Sequence, residues 1–303
     1  MADLIVTQGL GRTFGKVVAL DDVGLHVPTG QAVGLIGSNG AGKSTLLKIL
    51  VNLLPPTSGR AELCGVDSRR LRASIFERVG YMAEGQHLPR VPDVRALLDY
   101  CRPFYTRWDD ALATRLMATL DLPPGTPLPR ASRGTRMKAA LVATLAFHPE
   151  VLVLDEPLEG LDPLTREQVV DGLLELVSAE GTTVLLASHD LDVLERLLDQ
   201  VAMLHDARLV FQEPLETLQA RYRLVELTGP AIDATLLPAG SLDVRPMPDG
   251  ISFLTTSFGS DTEVTLGATF PGATFRIARP ALREAFIAHA RTLRGPASTR
   301  GAA

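Results

Sequence analysis

Residues Gly37 to Thr45 read Gly-Ser-Asn-Gly-Ala-Gly-Lys-Ser-Thr, and what flanks them decides the fold. The apolar run Ala32-Val-Gly-Leu-Ile36 precedes them as a strand, and Leu46, Leu47, Ile49 and Leu50 follow at helical spacing. Glycines at 37, 40 and 42 let the backbone curl so that several N–H groups point inward at phosphate oxygens. The start of the helix adds partial positive charge at the same place. Lys43 can then reach the β- and γ-phosphates, and the Ser44 hydroxyl can sit on Mg²⁺. Gly37, Ser38, Asn39, Gly40, Ala41, Gly42, Lys43, Ser44 and Thr45 are accordingly the expected nucleotide contacts.

Outward from the loop, the chain predicts alternating strands and helices. Two strands are expected before it, Leu4 to Thr7 and Val17 to Val27, and two after it, Arg60 to Leu63 and Val79 to Met82. Helices follow over Asp93 to Tyr105, over Asp109 to Leu120, and from a Ser132 cap to Phe147. Val151-Leu-Val-Leu154 and Thr183 to Ala187 are fully apolar strands around a helix over Leu164 to Ala179, the pattern of a parallel sheet covered on both faces. Beyond Pro214, strand-like runs at Leu224 to Leu227, Ile251 to Thr255, Val264 to Leu266 and Phe275 to Ile277 lead to an amphipathic helix, Ala281 to Arg291. Leu282, Ala285, Phe286 and His289 share one face of that helix, which must bury against its own strands or a second copy of the chain.

The apolar strand from Val151 ends in two acids, Asp155 and Glu156. A carboxylate at the tip of a buried strand suits the shell of a Mg²⁺ ion, and the next one can polarise a water for attack on a γ-phosphate. The strand from Thr183 ends in Ser188-His189, which places His189 at the same crevice.

Composition narrows the class. The 303 residues carry a net charge of -5, which argues against a nucleic-acid-coating surface, so no nucleic-acid partner is expected. Two cysteines without metal spacing point to a reducing cytoplasm. No basic segment followed by an apolar run opens the chain, and no apolar stretch approaches the ~20 residues of a membrane span, so a soluble protein without a signal peptide is expected.

On these motifs, taken in order, the chain resembles the ATP-binding cassette (ABC) ATPases over about residues 2–220. The resemblance implies an α/β fold: a P-loop NTPase cassette with a mostly parallel sheet, an antiparallel β subdomain and a helical subdomain at about 85–147. A small C-terminal α+β accessory domain at 224–293 and a flexible tail at 294–303 complete the expected organisation. The resemblance also implies ATP and Mg²⁺ as cofactors, with Ser44 and Asp155 at the metal, Glu156 as catalytic base and His189 as the switch contacting γ-phosphate. It implies that Phe14 stacks on adenine and that Gly160-Leu161-Asp162 speaks to a partner site. By the same route, Ser132 and Gly134 would approach the nucleotide of an opposite subunit, in a homodimer or a heterodimer with a second ABC ATPase.

Two motifs depart from the family's pattern. Its Leu-Ser-Gly-Gly-Gln signature reads Ala131-Ser132-Arg133-Gly134-Thr135, and its loop glutamine is replaced by Glu84, with Gln86 two residues on. Glu84 is therefore a catalytic-site candidate that adds negative charge beside the triphosphate. Arg133, Arg136 and Lys138 read either as attraction to the partner's nucleotide or as a solvated basic turn. The stretches from Glu84 to Pro89 and from Phe104 to Asp109 resemble bacterial exporter ATPases paired with separate permeases for antibiotics and lantibiotics. The implied function is the ATP-hydrolysing subunit of an ABC exporter, held at the inner face of the cell membrane by an integral membrane permease, which would grip the aromatic region Tyr100 to Trp108. The alternatives are a nucleotide-binding regulatory subunit with weak hydrolysis and a soluble non-transport ABC ATPase. The second is disfavoured because the chain has a single phosphate loop and no sustained heptads.

Overall fold

A computed structural model describes residues 3–189, 191–229 and 232–294, which form two compact units, up to Gln212 and from Glu213. The boundary lies nearer the N-terminus than residue 220, so the helix Leu215–Arg221 falls in the second unit. Apart from Arg294, the expected tail lies outside the described residues.

In the first unit, six strands form one sheet in the order Arg208–Pro214, Gln200–His205, Ala32–Gly37, Thr183–Ala187, Val151–Asp155, Val79–Met82. The pairings from Gln200–His205 across to Val79–Met82 are parallel. Alternation sends Val33, Leu35, Val151, Val153, Leu185 and Ala187 to one face, where they meet Leu46, Leu47, Ile49 and Leu50 of the helix Lys43–Leu50. The intervening Ile36, Leu152, Leu154, Val184 and Leu186 are buried as well, which explains why these strands read as unbroken apolar runs. Truncating a fully buried leucine of that helix, such as Leu46→Ala, would cost about 2–5 kcal/mol and loosen the loop it anchors.

A second, antiparallel sheet closes over the same core. It pairs Val17–Val23, Asp3–Phe14, Ser58–Leu63 and Val66–Asp67 in that order, with His26–Pro28 also on Asp3–Phe14. The single strand expected over Val17 to Val27 is thus two, and both halves pair with the long strand Asp3–Phe14.

The helical segment lies between the two sheet-forming stretches in sequence. Asp93 caps Val94–Cys101 through a 2.9 Å bond from Ala96 N, and a 3-10 turn, Arg102–Phe104, finishes it. Asp109 caps Asp110–Thr119 with bonds from Ala111 N and Leu112 N at 2.7 and 2.9 Å. Ser132 caps Arg133–Leu145 through a 3.0 Å bond from Thr135 N. Short polar side chains at these positions satisfy N–H groups that the helix leaves unpaired.

The aromatic stretch is divided between inside and outside. Tyr105 stacks on fully buried Phe147 with ring centroids 3.8 Å apart, and Trp108 packs against Tyr105. Tyr100 and Phe104 form a separate pair, 52% and 62% exposed. The expectation of one docking surface from Tyr100 to Trp108 is therefore corrected: Tyr105 packs into the helical core.

The second unit contains a four-stranded antiparallel sheet ordered Ser241–Met247, Gly250–Thr255, Arg223–Thr228, Thr274–Ala278. Val264 to Leu266, expected as a strand, lies in the helix Thr262–Thr269, which sets Leu266 against Val225, Leu227 and Phe253. Between the helices Leu215–Arg221 and Leu282–Arg294 the unit runs strand, 3-10 turn, strand, strand, helix, strand, a ferredoxin-like arrangement with its first helix reduced to Ala234–Leu236. The helix Leu282–Arg294 packs within this unit: Arg291 reaches Asp243 at 3.3 Å, and His289 Nε2 lies 2.8 Å from the Tyr222 hydroxyl.

Candidate functional site

The phosphate loop leaves the strand Ala32–Gly37 at the edge of a crevice of about 640 Å³. Gly42 caps the helix that follows with φ 109 and no side-chain hydrogen bond, so the first-turn N–H groups are left to bind an anion. A Cβ at Gly42 would stand 2.4 Å from the Ala19 carbonyl oxygen, so the loop can lie this close only with glycine there.

Lys43 folds back along its own loop. Its Nζ donates to the Gly37 carbonyl at 2.7 Å and the Ser38 carbonyl at 3.4 Å, and the side chain is only 7% exposed. Burial pushes its pKa down, against the opposing pull of Glu156, Asp155 and Glu84. An anionic ligand would relieve that strain on the charged form.

Adjacent parallel strands deliver the acids. Asp155 pairs in register with Ala187, so the tips of the strands Val151–Asp155 and Thr183–Ala187 stand side by side. Asp155 Oδ1 accepts from the Ser44 hydroxyl at 3.1 Å, while the buried Oδ2 has no hydrogen-bond partner among the described residues. Burial raises the Asp155 pKa, the Ser44 hydrogen bond opposes this, and Glu84 and Glu156 add to the rise. An orphaned carboxylate oxygen beside a hydroxyl, both hard oxygen donors, fits a divalent cation such as Mg²⁺.

Glu156 takes the left-handed conformation, φ 50, and is almost fully buried. Its Oε2 accepts three hydrogen bonds, from Ser188 Oγ at 3.1 Å, from His189 N at 3.3 Å and from His189 Nδ1 at 2.9 Å. Its own N–H donates to the Ala187 carbonyl at 2.9 Å. A strained non-glycine turn held by this many bonds marks a carboxylate whose placement is over-determined by its surroundings.

Ser38, Asn39, Gly40, Ala41, Gly42, Lys43, Ser44, Thr45, Glu84, Glu156 and His189 line one crevice. Ala19 and Glu159 line it too; neither is marked in the sequence, because Ala19 carries no chemistry and Glu159 only precedes the Gly160-Leu161-Asp162 motif. Ser188, in the sequence no more than the neighbour of His189, binds Glu156 directly. Phe14 is not among the lining residues; it ends the strand Asp3–Phe14, 42% exposed, with the Arg12 guanidinium 4.4 Å above its ring. Ser132 and Gly134 also lie outside the lining, at the start of the helix Arg133–Leu145.

Comparison with known proteins gives this geometry its family. A model described as "ABC transporter" matches residues 20–159, and one described as "AAA domain, putative AbiEii toxin, Type IV TA system" matches 124–195. The daunorubicin resistance ATP-binding protein DrrA3 of Streptomyces coeruleorubidus is 35% identical over 248 residues, covering 80% of this chain and 77% of that protein. The chain belongs to the ATP-binding cassette family of ABC transporters. It is an ATPase, the ATP-binding subunit of a transporter. The solved structure of an ATP-binding subunit of an ABC transporter superposes with a TM-score of 0.62 at 26% identity, covering 72% of this chain and 92% of that one. A dimeric cassette in a post-hydrolysis state bound to ADP and Pi shares the fold, with a TM-score of 0.62 at 21% identity over 70% of this chain and 98% of that one. ABC ATP-binding subunits dimerise and work with membrane permeases. Among the described residues of this chain, no helix is long and apolar enough to cross a membrane.

Proposed function

We propose that the chain binds Mg-ATP in the crevice at the head of its parallel sheet and uses hydrolysis to drive export through a separate integral membrane permease at the inner face of the cell membrane. One observation carries this reading: the loop bearing Lys43 and Ser44, the acids Asp155 and Glu156, and His189 converge from three neighbouring strands. Export is supported by the resistance role in the name of the Streptomyces relative and by the exporter-like stretches after Glu84 and Phe104.

In this reading the nucleotide contacts are Gly37 to Thr45. Lys43 exchanges its carbonyl contacts for charge-assisted bonds to the β- and γ-phosphates. Ser44 and Asp155 hold Mg²⁺, which when bound supplies positive charge against the triphosphate. Glu156 accepts the proton of the attacking water, and Ser188 and His189 hold its carboxylate in place for that transfer. His189 is the γ-phosphate contact. Glu84 takes the place of the family's glutamine and slows the reaction by adding negative charge near the attacking water. Phe14 offers the exposed part of its ring to adenine. Ser132 and Gly134 act on the nucleotide of a second cassette, either another copy or a different ATPase.

Glu84 also favours a second reading, a regulatory subunit with weak hydrolysis, because an acid adjoins the Asp155–Glu156 pair. Titrating Mg²⁺ against ATP turnover in the wild type and Asp155→Asn tests the main reading. The expected result is strict Mg²⁺ dependence and a loss of about two orders of magnitude in the variant. Equal turnover in chelator, or in the variant, would contradict it.

A further inference from the structure

The turn that opens the helix Arg133–Leu145 is tied to the loop that follows Glu156. Arg133 Nη2 forms an ion pair with Glu159 Oε2. The contact is built as well as charged. A Cβ on Gly160, which holds φ 77, would stand 3.2 Å from Arg133 Cδ, and a Cβ on Gly134 would stand 3.0 Å from the Gly160 carbonyl oxygen. The stem of Arg133 thus lies along one glycine while its neighbour packs against the other. Glu159 is linked in turn to Glu156, because Glu159 N donates to the Glu156 carbonyl at 3.1 Å, closing the turn on the residue that holds φ 50.

A cation at the first residue of a helix opposes the helix dipole and needs compensation from elsewhere. Glu159 supplies it for Arg133, while Arg136 Nη1 turns away to the Ala131 carbonyl at 2.9 Å. We propose that Arg133 is a positioning residue for ATP hydrolysis, acting through Glu159 as an in-chain latch that holds the turn carrying Glu156. The inference rests on the assignment of Glu156 as the base. The two side chains are 46% and 30% exposed, so the pair contributes little to overall stability. Its effect lies on the geometry of the Glu156 turn, where a small displacement changes the rate of proton transfer.

The test is a charge-swap series on the full chain, with kcat and KM for ATP measured for Arg133→Glu, Glu159→Arg and the double swap. Each single variant is expected to lower kcat about three- to fivefold, with KM unchanged in Arg133→Glu, and the double swap to recover kcat to within about twofold of wild type; Glu159 lines the nucleotide crevice, so its variants are compared on kcat alone. Raising salt from about 50 to about 500 mM at saturating ATP should slow the wild type more than Arg133→Gln, since the two share every other charge contact at the site and only the former has this pair to screen. Melting curves for each variant separate a slowed site from a failed fold. A double swap as slow as the slower single variant would overturn the latch, and that outcome is expected if Arg133 instead meets the triphosphate of a second subunit. A change confined to KM in Arg133→Glu would overturn it equally. Turnover that survives Glu156→Gln would sink the assignment of the base, and the latch with it; dependence on Glu156 without rescue by the swap sinks the latch alone.

Discussion

Glu156 and His189 meet at 2.9 Å between Oε2 and Nδ1, although they leave different strands. The meeting follows from sheet register. Asp155 stands opposite Ala187, so the residues just past each strand tip, Glu156 on one side and Ser188 and His189 on the other, converge. His189→Ala should therefore lower kcat by about 10- to 100-fold, and Ser188→Ala by less: each removes one side-chain bond to Oε2 and leaves the His189 N–H bond in place, but only His189 also contacts the γ-phosphate in the proposed reading. Single-turnover kinetics at saturating ATP measure this, and wild-type rates in His189→Ala would remove the histidine from the mechanism.

Glu84 stands at the same crevice as Lys43 and Glu156. Replacing its charge with the neutral isostere in Glu84→Gln should raise kcat about two- to fivefold at saturating Mg²⁺, since one fewer anion then opposes the triphosphate. Steady-state phosphate release reads the change. A variant no faster than wild type would show that Glu84 does not limit the rate.

The aromatic residues of the helical segment should separate by role. Tyr105→Ala removes a ring stacked on buried Phe147 and should cost about 2–4 kcal/mol in denaturant unfolding. Tyr100→Ser with Phe104→Ser removes the exposed pair and should leave stability within about 0.5 kcal/mol while weakening recovery of the protein with the membrane fraction. The reverse pattern would place the permease contact elsewhere.

The second unit should lose stability in mild acid. Burial, with the nearby Arg221 charge adding to it, pushes the His289 pKa from 6.5 down to about 4. Between those values the unfolded chain binds a proton that the folded chain refuses, so this contribution is complete above about pH 6.5 and is lost as pH falls toward 4. Thermal melts of the wild type and His289→Gln from pH 7 to 5 should converge as the wild type loses its advantage. Parallel melting points across that range would contradict the assignment.

What was legible in the sequence was local chemistry. The phosphate loop, the Val151–Glu156 run and the Ser132 cap each carry their instruction within a few residues, whereas Asp93 and Asp109, expected as the first helical residues, prove to be caps. Packing decided the rest. Val264, Thr265 and Leu266 have strand-like propensity, yet the unit needs Leu266 and Phe270 on its sheet, and a helix presents both. The strand Ser241–Met247 was hidden by Pro246 and by its charged residues, features tolerated because it lies at the sheet edge. Tyr105 and Trp108 read as surface because their partner, Phe147, comes at the far end of the segment. The Arg133–Glu159 contact joins turns 26 residues apart and has no signature in either one.

Steady-state phosphate release by Glu156→Gln, paired with gel filtration in Mg-ATP, tests the central claim most directly. The account predicts retained ATP binding, turnover reduced by at least about 100-fold and a nucleotide-dependent dimer that no longer resets. Hydrolysis at the wild-type rate, with no trapped dimer, would contradict it.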